Sequence, residues 1–307
     1  MHFPVAGIDV SPLVPVAVAF GLTTLMSMGG LSGAFALLPF QVSVLGFAGP
    51  AVTPTNHLFN VVAIPSAVAR YMRERRMVWP LAVMILAGTL PGALGGVWLR
   101  LRLLSDVRHF KLFVGLVLLF IASRLVVKVR RSARRPAPAP NSVEQAAPAE
   151  AFRCRTVRFD WRRIEYEFRG ERHGVSTPAL SALSLVVGLV GGAYGVGGGA
   201  MIAPLLVSIF ELPVHTIAGA TLFATWLTSL ATVGAFAAVG PLTGQPSVGP
   251  DFALGMLFGL GGLVGMYTGA RLQKRVPARA IEALLALVVG ALALAYVVGF
   301  LRAWAAA

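Results

Sequence analysis

The chain has 307 residues, of which 57% are hydrophobic and only 12% are charged, and its formal net charge at pH 7 is +14. Soluble domains carry roughly 25% charged residues, so this composition excludes an ordinary soluble fold. An excess of Lys and Arg can indicate nucleic-acid binding, but here these residues lie beside apolar segments, where positive charge keeps a loop in the cytoplasm. We therefore expect an all-α, multi-pass protein of the cell inner membrane, partnered by the lipid bilayer and not by nucleic acid.

Five apolar segments, separated by Pro, Gly and charge, come first along the chain: about 12–28, 32–48, 52–70, 78–99 and 108–128. No Lys, Arg, Asp or Glu occurs between Asp9 and Arg70, which is typical of successive spans of about 20 residues each. The first two segments are short, so they either cross the membrane or form a re-entrant hairpin. The first four residues contain no Lys or Arg, so we expect the first segment to be retained and not cleaved as a signal peptide.

A polar stretch over residues 129–176 follows, and its basic, Pro/Ala-rich beginning cannot bury a core. Farther on, aromatic and branched residues alternate with charged ones, which predicts a small cytoplasmic hairpin of two strands. The alternating residues are Val157, Phe159, Trp161, Ile164, Tyr166 and Phe168. We favour a solvated linker that enforces the topology over an element that binds a partner or regulates transport. We expect the hairpin, at 152–175, to be dispensable for membrane insertion. The single cysteine, Cys154, excludes an internal disulfide and any Cys-cluster metal site.

Five further segments cover about 178–194, 199–213, 215–239, 252–270 and 279–300. The two sets repeat one another at fixed offsets, a common transporter construction. An offset of 165 pairs Gly30 with Gly195, Gly33 with Gly198 and Pro39 with Pro204, and an offset of 170 pairs Gly92 with Gly262 and Gly95 with Gly265. The predicted organisation is a first transmembrane repeat at 1–128, the linker at 129–176 and a second repeat at 177–307.

Loop charge favours inverted repeats with the N-terminus outside. With the linker cytoplasmic, alternation also places the basic loops at 70–76 and 271–279 inside, and the uncharged 240–250 loop outside. Parallel repeats would move the 271–279 loop outside. The residues around Arg100 and Arg108 fit less well, since they would face outward.

Glycine is concentrated in each repeat where a continuous helix would lose about 1 kcal/mol per Gly relative to Ala. The two Gly-rich breaks lie at 29–33 and 191–199, and each leads to a proline. Irregular backbone in a bilayer is tolerated only beside protein or a water-filled cavity, so a broken helix indicates a site. The free N–H groups of the following half helix can hold an anion. The alternative is close helix packing through small residues.

Hydroxyls and amides follow each break as a stripe on one helical face. Asn56 and Asn60 share a face in the first repeat, and Thr221, Thr225 and Thr228 do so in the second. Such a stripe meets either a substrate or another helix. We find no Lys or Arg deep in a span, so we expect neutral dipoles to hold the anion weakly and reversibly. We interpret His57 as an interfacial histidine, with a proton carrier as the alternative.

The predicted substrate-binding residues come from both breaks and both stripes: Gly30, Gly33, Thr55, Asn56, Asn60, Tyr194, Gly195, Gly197, Gly198, Gly199, Thr221 and Thr225. No HExxH, paired Cys, nucleophile elbow or phosphate loop is present, so we predict no enzyme activity, no metal and no organic cofactor. The coupling ion, a proton or sodium, is left open.

These motifs resemble the TauE/SafE family of sulfite and organosulfonate transporters. The resemblance rests on YGVGGGAMIAPLL at 194–206, AGATLFATWLTS at 218–229, GGLSGAFALLPF at 29–40, TPTNHLFN at 53–60 and GLGGLVGMYTGARL at 259–272. It implies secondary transport of sulfite, sulfoacetate or a related small organic or inorganic anion by alternating access between the repeats. A carboxylate transporter, a passive anion channel and a non-transporting membrane scaffold are the alternatives.

Overall fold

A computed structural model describes residues 1–28, 31–134, 153–243, 248–273, 275–276 and 278–305. Within these ranges the chain is mainly helical, with ten α-helices in an order that matches the predicted segments. They are α1 (Leu13–Met28), α2 (Ala34–Ser43), α3 (Val52–Arg73), α4 (Trp79–Arg102), α5 (Val107–Arg134), α6 (Thr177–Tyr194), α7 (Gly198–Ser208), α8 (Val214–Thr243), α9 (Phe252–Leu272) and α10 (Ala278–Ala305). The predicted polytopic helical class is confirmed.

Helix length separates crossing helices from half helices. In the part of the chain that the structure describes, four stretches are long and apolar enough to cross a membrane: Trp79–Arg102, Thr177–Tyr194, Val214–Val239 and Phe252–Leu272. By contrast, α2 has 10 residues and α7 has 11. At about 1.5 Å per residue each is roughly half of the ~30 Å apolar core of a bilayer. Each is the short second part of a broken helix.

Glycine lets pairs of helices approach closely along parallel directions. In the first pair, a Cβ atom at Gly92 of α4 would meet the Leu185 carbonyl of α6, and one at Gly96 would meet the Leu189 carbonyl. In the second pair, a Cβ atom at Gly261 of α9 would meet the backbone of α1. Small residues at such contacts allow backbones to pack without a separating side chain. The first helix of each half therefore packs against a later helix of the other half.

Two small antiparallel sheets flank the helices. Strands β1 (His2–Phe3) and β2 (Ile8–Asp9) pair near the N-terminus. Strands β3 (Cys154–Phe159), β4 (Arg163–Phe168) and β5 (Glu171–Ser176) form a sheet in that order. The sequence predicted the first two strands of this sheet and missed β5, whose residues lack an apolar alternation. In addition, α5 continues to Arg134, so the start of the predicted linker is helical.

The three-stranded sheet packs against the helical bundle, which argues against the expectation that it is dispensable for membrane insertion. The Tyr166 side chain is buried, and its hydroxyl lies 2.7 Å from Thr216 Oγ1 on α8. The Cys154 N–H donates to the Arg75 carbonyl in the α3–α4 loop at 3.1 Å. Burial raises the pKa of the Cys154 thiol to about 11 and also raises the pKa of Tyr166. The buried face of the sheet is thus part of the main core.

The two sheets lie at opposite ends of the helical bundle. We call the end with the N-terminal β1–β2 hairpin the hairpin end, and the end with the β3–β4–β5 sheet the sheet end. At the hairpin end, the Asp251 carboxylate at the start of α9 accepts a hydrogen bond from the Ala6 N–H at 3.1 Å. At the sheet end lie the α3–α4 loop and the start of α8. This arrangement agrees with opposite membrane sides for the N-terminus and the linker. The assignment of the hairpin end to the outside stays a prediction.

Candidate functional site

The break between α6 and α7 requires glycine at two positions. Gly195 closes α6 with φ of 93°, and Gly197 precedes α7 with φ of 82°. Both angles lie in the left-handed region that side chains disfavour. Gly197 is the N-cap and contributes no side-chain hydrogen bond to the first turn of α7. In the other break, Gly33 precedes α2, whereas Gly30 lies outside the described residues.

Asn56 joins the two breaks. Its side chain is fully buried, and its Nδ2 donates to the Ala34 carbonyl at 3.1 Å and to the Gly195 carbonyl at 2.9 Å. Its Oδ1 accepts from Gln41 Nε2 at 3.0 Å. The start of α2 and the end of α6 are therefore tied to one amide on α3.

Asn60 and Tyr194 reinforce this junction. Asn60 Nδ2 donates to the Val196 carbonyl at 2.9 Å and to Ser229 Oγ at 3.2 Å, while its Oδ1 accepts from the Ser32 hydroxyl. The Tyr194 hydroxyl donates to the Phe35 carbonyl at 3.1 Å. The structure thus brings the predicted Asn56, Asn60, Tyr194 and Gly195 together around the breaks.

The threonine stripe of α8 makes a different kind of contact. Thr221 Oγ1 donates to the Ala218 carbonyl at 3.1 Å, and Thr225 Oγ1 donates to the Thr221 carbonyl at 2.7 Å. These are bonds to the preceding helical turn. A Cβ atom added at Gly199 would meet the Thr221 carbonyl, and one at Gly197 would lie 2.7 Å from Thr225 Cγ2. The stripe therefore faces the start of α7 within its own half.

The remaining predicted residues serve packing and the hairpin end. A Cβ atom at Gly198 would lie 2.8 Å from Thr89 Cβ, and one at Gly33 would meet Thr23 Oγ1, so both glycines allow close approach. The Thr55 hydroxyl donates to the Ala51 carbonyl at 2.7 Å and accepts from the Asp251 N–H at 2.8 Å. Thr55 therefore lies at the hairpin end and not between the breaks.

His57 is not interfacial, which corrects the interpretation favoured from sequence. Its ring is fully buried, with Nδ1 at 3.1 Å from Ser229 Oγ and Nε2 at 3.4 Å from the Gly192 carbonyl. Because Ser229 also contacts Asn60, the histidine belongs to the same polar network as the breaks. His57 directly follows Asn56 and so lies on another face of α3, and α8 and α6 both reach that face.

Arg100 is the functional candidate that sequence reasoning missed: it lies near the end of α4 and not deep in the span, but the protein buries it. Arg100 belongs to α4 and is 0% exposed. Its Nε donates to Thr53 Oγ1 at 3.0 Å, its Nη2 to the Gly49 carbonyl at 3.2 Å and its Nη1 to the Leu104 carbonyl. In the sequence, its position near the end of an apolar run is typical of a solvated arginine. The structure shows that the 44–51 loop packs over it and buries it.

A cavity of about 550 Å³ lies elsewhere, between α4 and α8 toward the hairpin end. It is mostly apolar and touches none of the predicted substrate residues. Within the described ranges, no group of three or more His, Cys, Asp or Glu residues could hold a metal ion. The chemistry available around the breaks is therefore hydrogen bonding by amides, hydroxyls and backbone, with one guanidinium nearby.

Comparison with known proteins agrees with this architecture. Two curated relatives named "Probable membrane transporter protein MamO" are similar: the Paramagnetospirillum magneticum protein is 24% identical over 300 residues, and the Magnetospirillum gryphiswaldense protein is 25% identical over 294. Each match covers 93% of this chain but 44% of the relative, so the chain spans less than half the length of these relatives. No solved structure matches.

The family profile described as "Sulfite exporter TauE/SafE" matches residues 15–296, which includes both breaks, both stripes and the sheet between the halves. The chain belongs to the sulfite exporter TauE/SafE family.

Proposed function

We propose that the chain is a secondary transporter that moves small sulfur-containing anions, such as sulfite or the organosulfonate sulfoacetate, across the cell inner membrane. Substrate would bind where the helix breaks meet, and the two halves would give alternating access to it. The observation that carries this proposal is the Asn56 amide, which donates to the Ala34 carbonyl at one break and to the Gly195 carbonyl at the other. A single buried polar group is therefore common to both halves.

Equivalent contacts in the two halves support a repeat that can alternate. At the offset of 165, Ala34 and Asn56 correspond to Gly199 and Thr221, and both pairs are in contact. The parallel pairing of α1 with α9 and of α6 with α4 supports an inverted repeat, since the first helix of each half packs in the same way on the fourth helix of the other. Such symmetry lets one sequence pattern build both an outward-facing and an inward-facing state.

The donors around the breaks suit an oxyanion. Asn56 and Asn60 contribute amide N–H groups, and the first turn of α7 has backbone N–H groups that its glycine N-cap does not cover with a side chain. A sulfite or sulfonate group presents several acceptor oxygens to convergent donors, and hydrogen bonds to a charged acceptor are stronger than neutral ones. A carboxylate would be recognised by the same donors, so the sulfur anion is favoured by family membership.

In the described conformation, carbonyl groups of the helix break already accept hydrogen bonds from the Asn56 and Asn60 side-chain amides. An anion that binds Asn56 or Asn60 must therefore displace the Gly195 or Val196 carbonyl. Substrate binding and separation of the breaks would then be coupled, because the same N–H groups cannot serve both acceptors fully. The anion would therefore bind more tightly to the conformation with separated breaks. Such a difference in affinity between two conformations is what allows a ligand to shift the equilibrium between them.

The coupling ion of this transport cycle is a proton or sodium, and the proposal includes no resident metal or organic cofactor. His57 is a titratable side chain of the polar network, in contact with Ser229 and the Gly192 carbonyl. Proton coupling would use this residue, whereas sodium coupling would leave its replacement by Gln without effect on the ion dependence.

Uptake of labelled sulfite, sulfoacetate and acetate into proteoliposomes under imposed proton and sodium gradients tests the function. We expect uptake of a sulfur anion that responds to one of the two gradients. Counterflow separates a carrier from a channel, since only a carrier accumulates labelled substrate in exchange for unlabelled substrate inside. A membrane scaffold would show no uptake of any of the three anions, and that result would overturn the proposal.

A further inference from the structure

Arg100 is a buried cation with neutral partners. It is 0% exposed, and its hydrogen-bond acceptors are the Thr53 hydroxyl and the carbonyls of Gly49 and Leu104. Its guanidinium carbon lies 3.9 Å from the centroid of the Phe110 ring. No carboxylate of the described residues forms an ion pair with it. A buried charge is costly unless an opposite charge compensates for it, and a ring face or a carbonyl dipole offers only part of that compensation.

The guanidinium has capacity left for a ligand. Arginine carries five N–H donors in a planar fork. Three of them serve the Thr53, Gly49 and Leu104 oxygens, so five minus three leaves two. The ring of Phe110 packs against a face of the group, and arginine binds an oxyanion through N–H groups in the guanidinium plane.

Arg100 also adjoins the helix break. The Thr53 hydroxyl that accepts from Arg100 Nε donates to the Ala193 carbonyl at 3.4 Å. A Cβ atom at Gly195 would lie 3.0 Å from the Thr53 carbonyl oxygen. Thr53 therefore contacts both the guanidinium of Arg100 and Gly195, the glycine that closes α6. The charge stands on the hairpin-end side of the junction that Asn56 forms.

The geometry points to Arg100 as the counter-ion of the transported anion, with its two remaining N–H groups binding two oxygens of a sulfite, sulfonate or carboxylate. This inference rests on the proposed function and adds a charged group to a site otherwise made of neutral donors. The bound anion would compensate the buried charge as it reaches the break. The buried carboxylate of Asp251, at the start of α9, does not do so, since its oxygens accept from the Ala6 and Leu254 N–H groups.

A clamping role alone is the competing explanation, because Arg100 also holds the Gly49 loop against α4. The two roles differ in their dependence on anion. The test variants are Arg100→Gln, which removes the charge, and Arg100→Lys, which keeps the charge but loses the planar fork. Arg102→Gln is the matched control: it makes the same change of charge two residues away on the same helix, at an exposed position.

The measurements are the KM for labelled sulfite and sulfoacetate uptake and the rise in Tm that each anion produces in the purified protein. We expect Arg100→Gln to raise KM at least tenfold and to abolish the anion-dependent rise in Tm, and Arg100→Lys to raise KM severalfold. Arg102→Gln should stay within about twofold of the unchanged protein, since an exposed charge is screened by salt.

An unchanged KM and an unchanged anion-dependent Tm in Arg100→Gln would overturn the counter-ion role and leave a clamp. If Arg100→Gln does not fold, Arg100→Lys decides, since the proposal requires the forked pair and an unchanged KM in that variant overturns it. Transport by the unchanged protein with no effect of Arg100 substitution defeats this inference alone. Absence of anion transport by the unchanged protein defeats the proposed function as well.

Discussion

Asn60 and Thr225 occupy equivalent positions at the offset of 165, but their side chains make different hydrogen bonds in the structure. Asn60→Leu would remove the partner of the Val196 carbonyl, the Ser229 hydroxyl and the Ser32 hydroxyl. Thr225→Val would remove one bond to the Thr221 carbonyl. Both side chains are fully buried, so the comparison isolates hydrogen bonding from exposure.

The expected magnitudes follow from these bonds. Hydrogen bonds between membrane helices contribute on average about 0.6 kcal/mol and at most about 1.7 kcal/mol each. Three bonds lost at Asn60 should lower the free energy of unfolding by about 2–4 kcal/mol. Thr225→Val keeps the shape of the side chain and removes a bond to the preceding turn, which stabilises a helix little. Its effect should be below about 0.5 kcal/mol.

Equilibrium unfolding of the purified protein in mixed micelles measures both changes. A further variant, Asn60→Asp, keeps the acceptor for the Ser32 hydroxyl but places an acceptor against the Val196 carbonyl, so it should be at least as unstable as Asn60→Leu. If Asn60→Leu and Thr225→Val change the free energy of unfolding by the same amount, the assignment of the junction to α3 is wrong. Intact stability in Asn60→Asp would contradict it independently.

Three other predictions concern the linker and the membrane orientation. Because the pKa of Cys154 is raised to about 11, about one thiol in a thousand is ionised at pH 8. Maleimide should therefore react with it roughly 200-fold more slowly than with an ordinary thiol. The reaction rate should rise about tenfold per pH unit up to pH 10. The Tyr166 hydroxyl must donate to Thr216, whose own proton serves the Pro213 carbonyl; Tyr166→Phe should therefore lower stability by about 0.5–1.5 kcal/mol, measurable as a reduced Tm, and excision of residues 154–176 should reduce the yield of folded protein far more. In a Cys154→Ala background, an impermeant thiol reagent should label Ser247→Cys from outside and spare Ser142→Cys, two positions outside the described residues; equal labelling would refute the orientation.

The apolar segments and the breaks could be predicted from sequence because each depends on local composition. A run of about 20 apolar residues forms a helix in a bilayer wherever it occurs, since its backbone groups must be satisfied internally. Clustered glycines interrupt that helix for an equally local reason, and the fixed offsets between the halves reveal the repeat. Strand β5 and the N-terminal hairpin were missed, because pairing with a neighbouring strand stabilises them and an apolar alternation does not.

The contacts of single polar residues required the tertiary structure. The sequence treated Asn60 and Thr225 as equivalent, and only the packing of α3 against the α6–α7 break gives the asparagine three partners while the threonine bonds to its own helix. In the same way, Arg100 reads as a solvated residue at the end of a span. The loop at 44–51 and the start of α5 bury it, and burial changes a screened surface charge into one that requires a partner. Sequence by itself therefore determined the helices and their breaks, which depend on neighbours along the chain, and the fold decided which polar groups meet, which depends on neighbours in space.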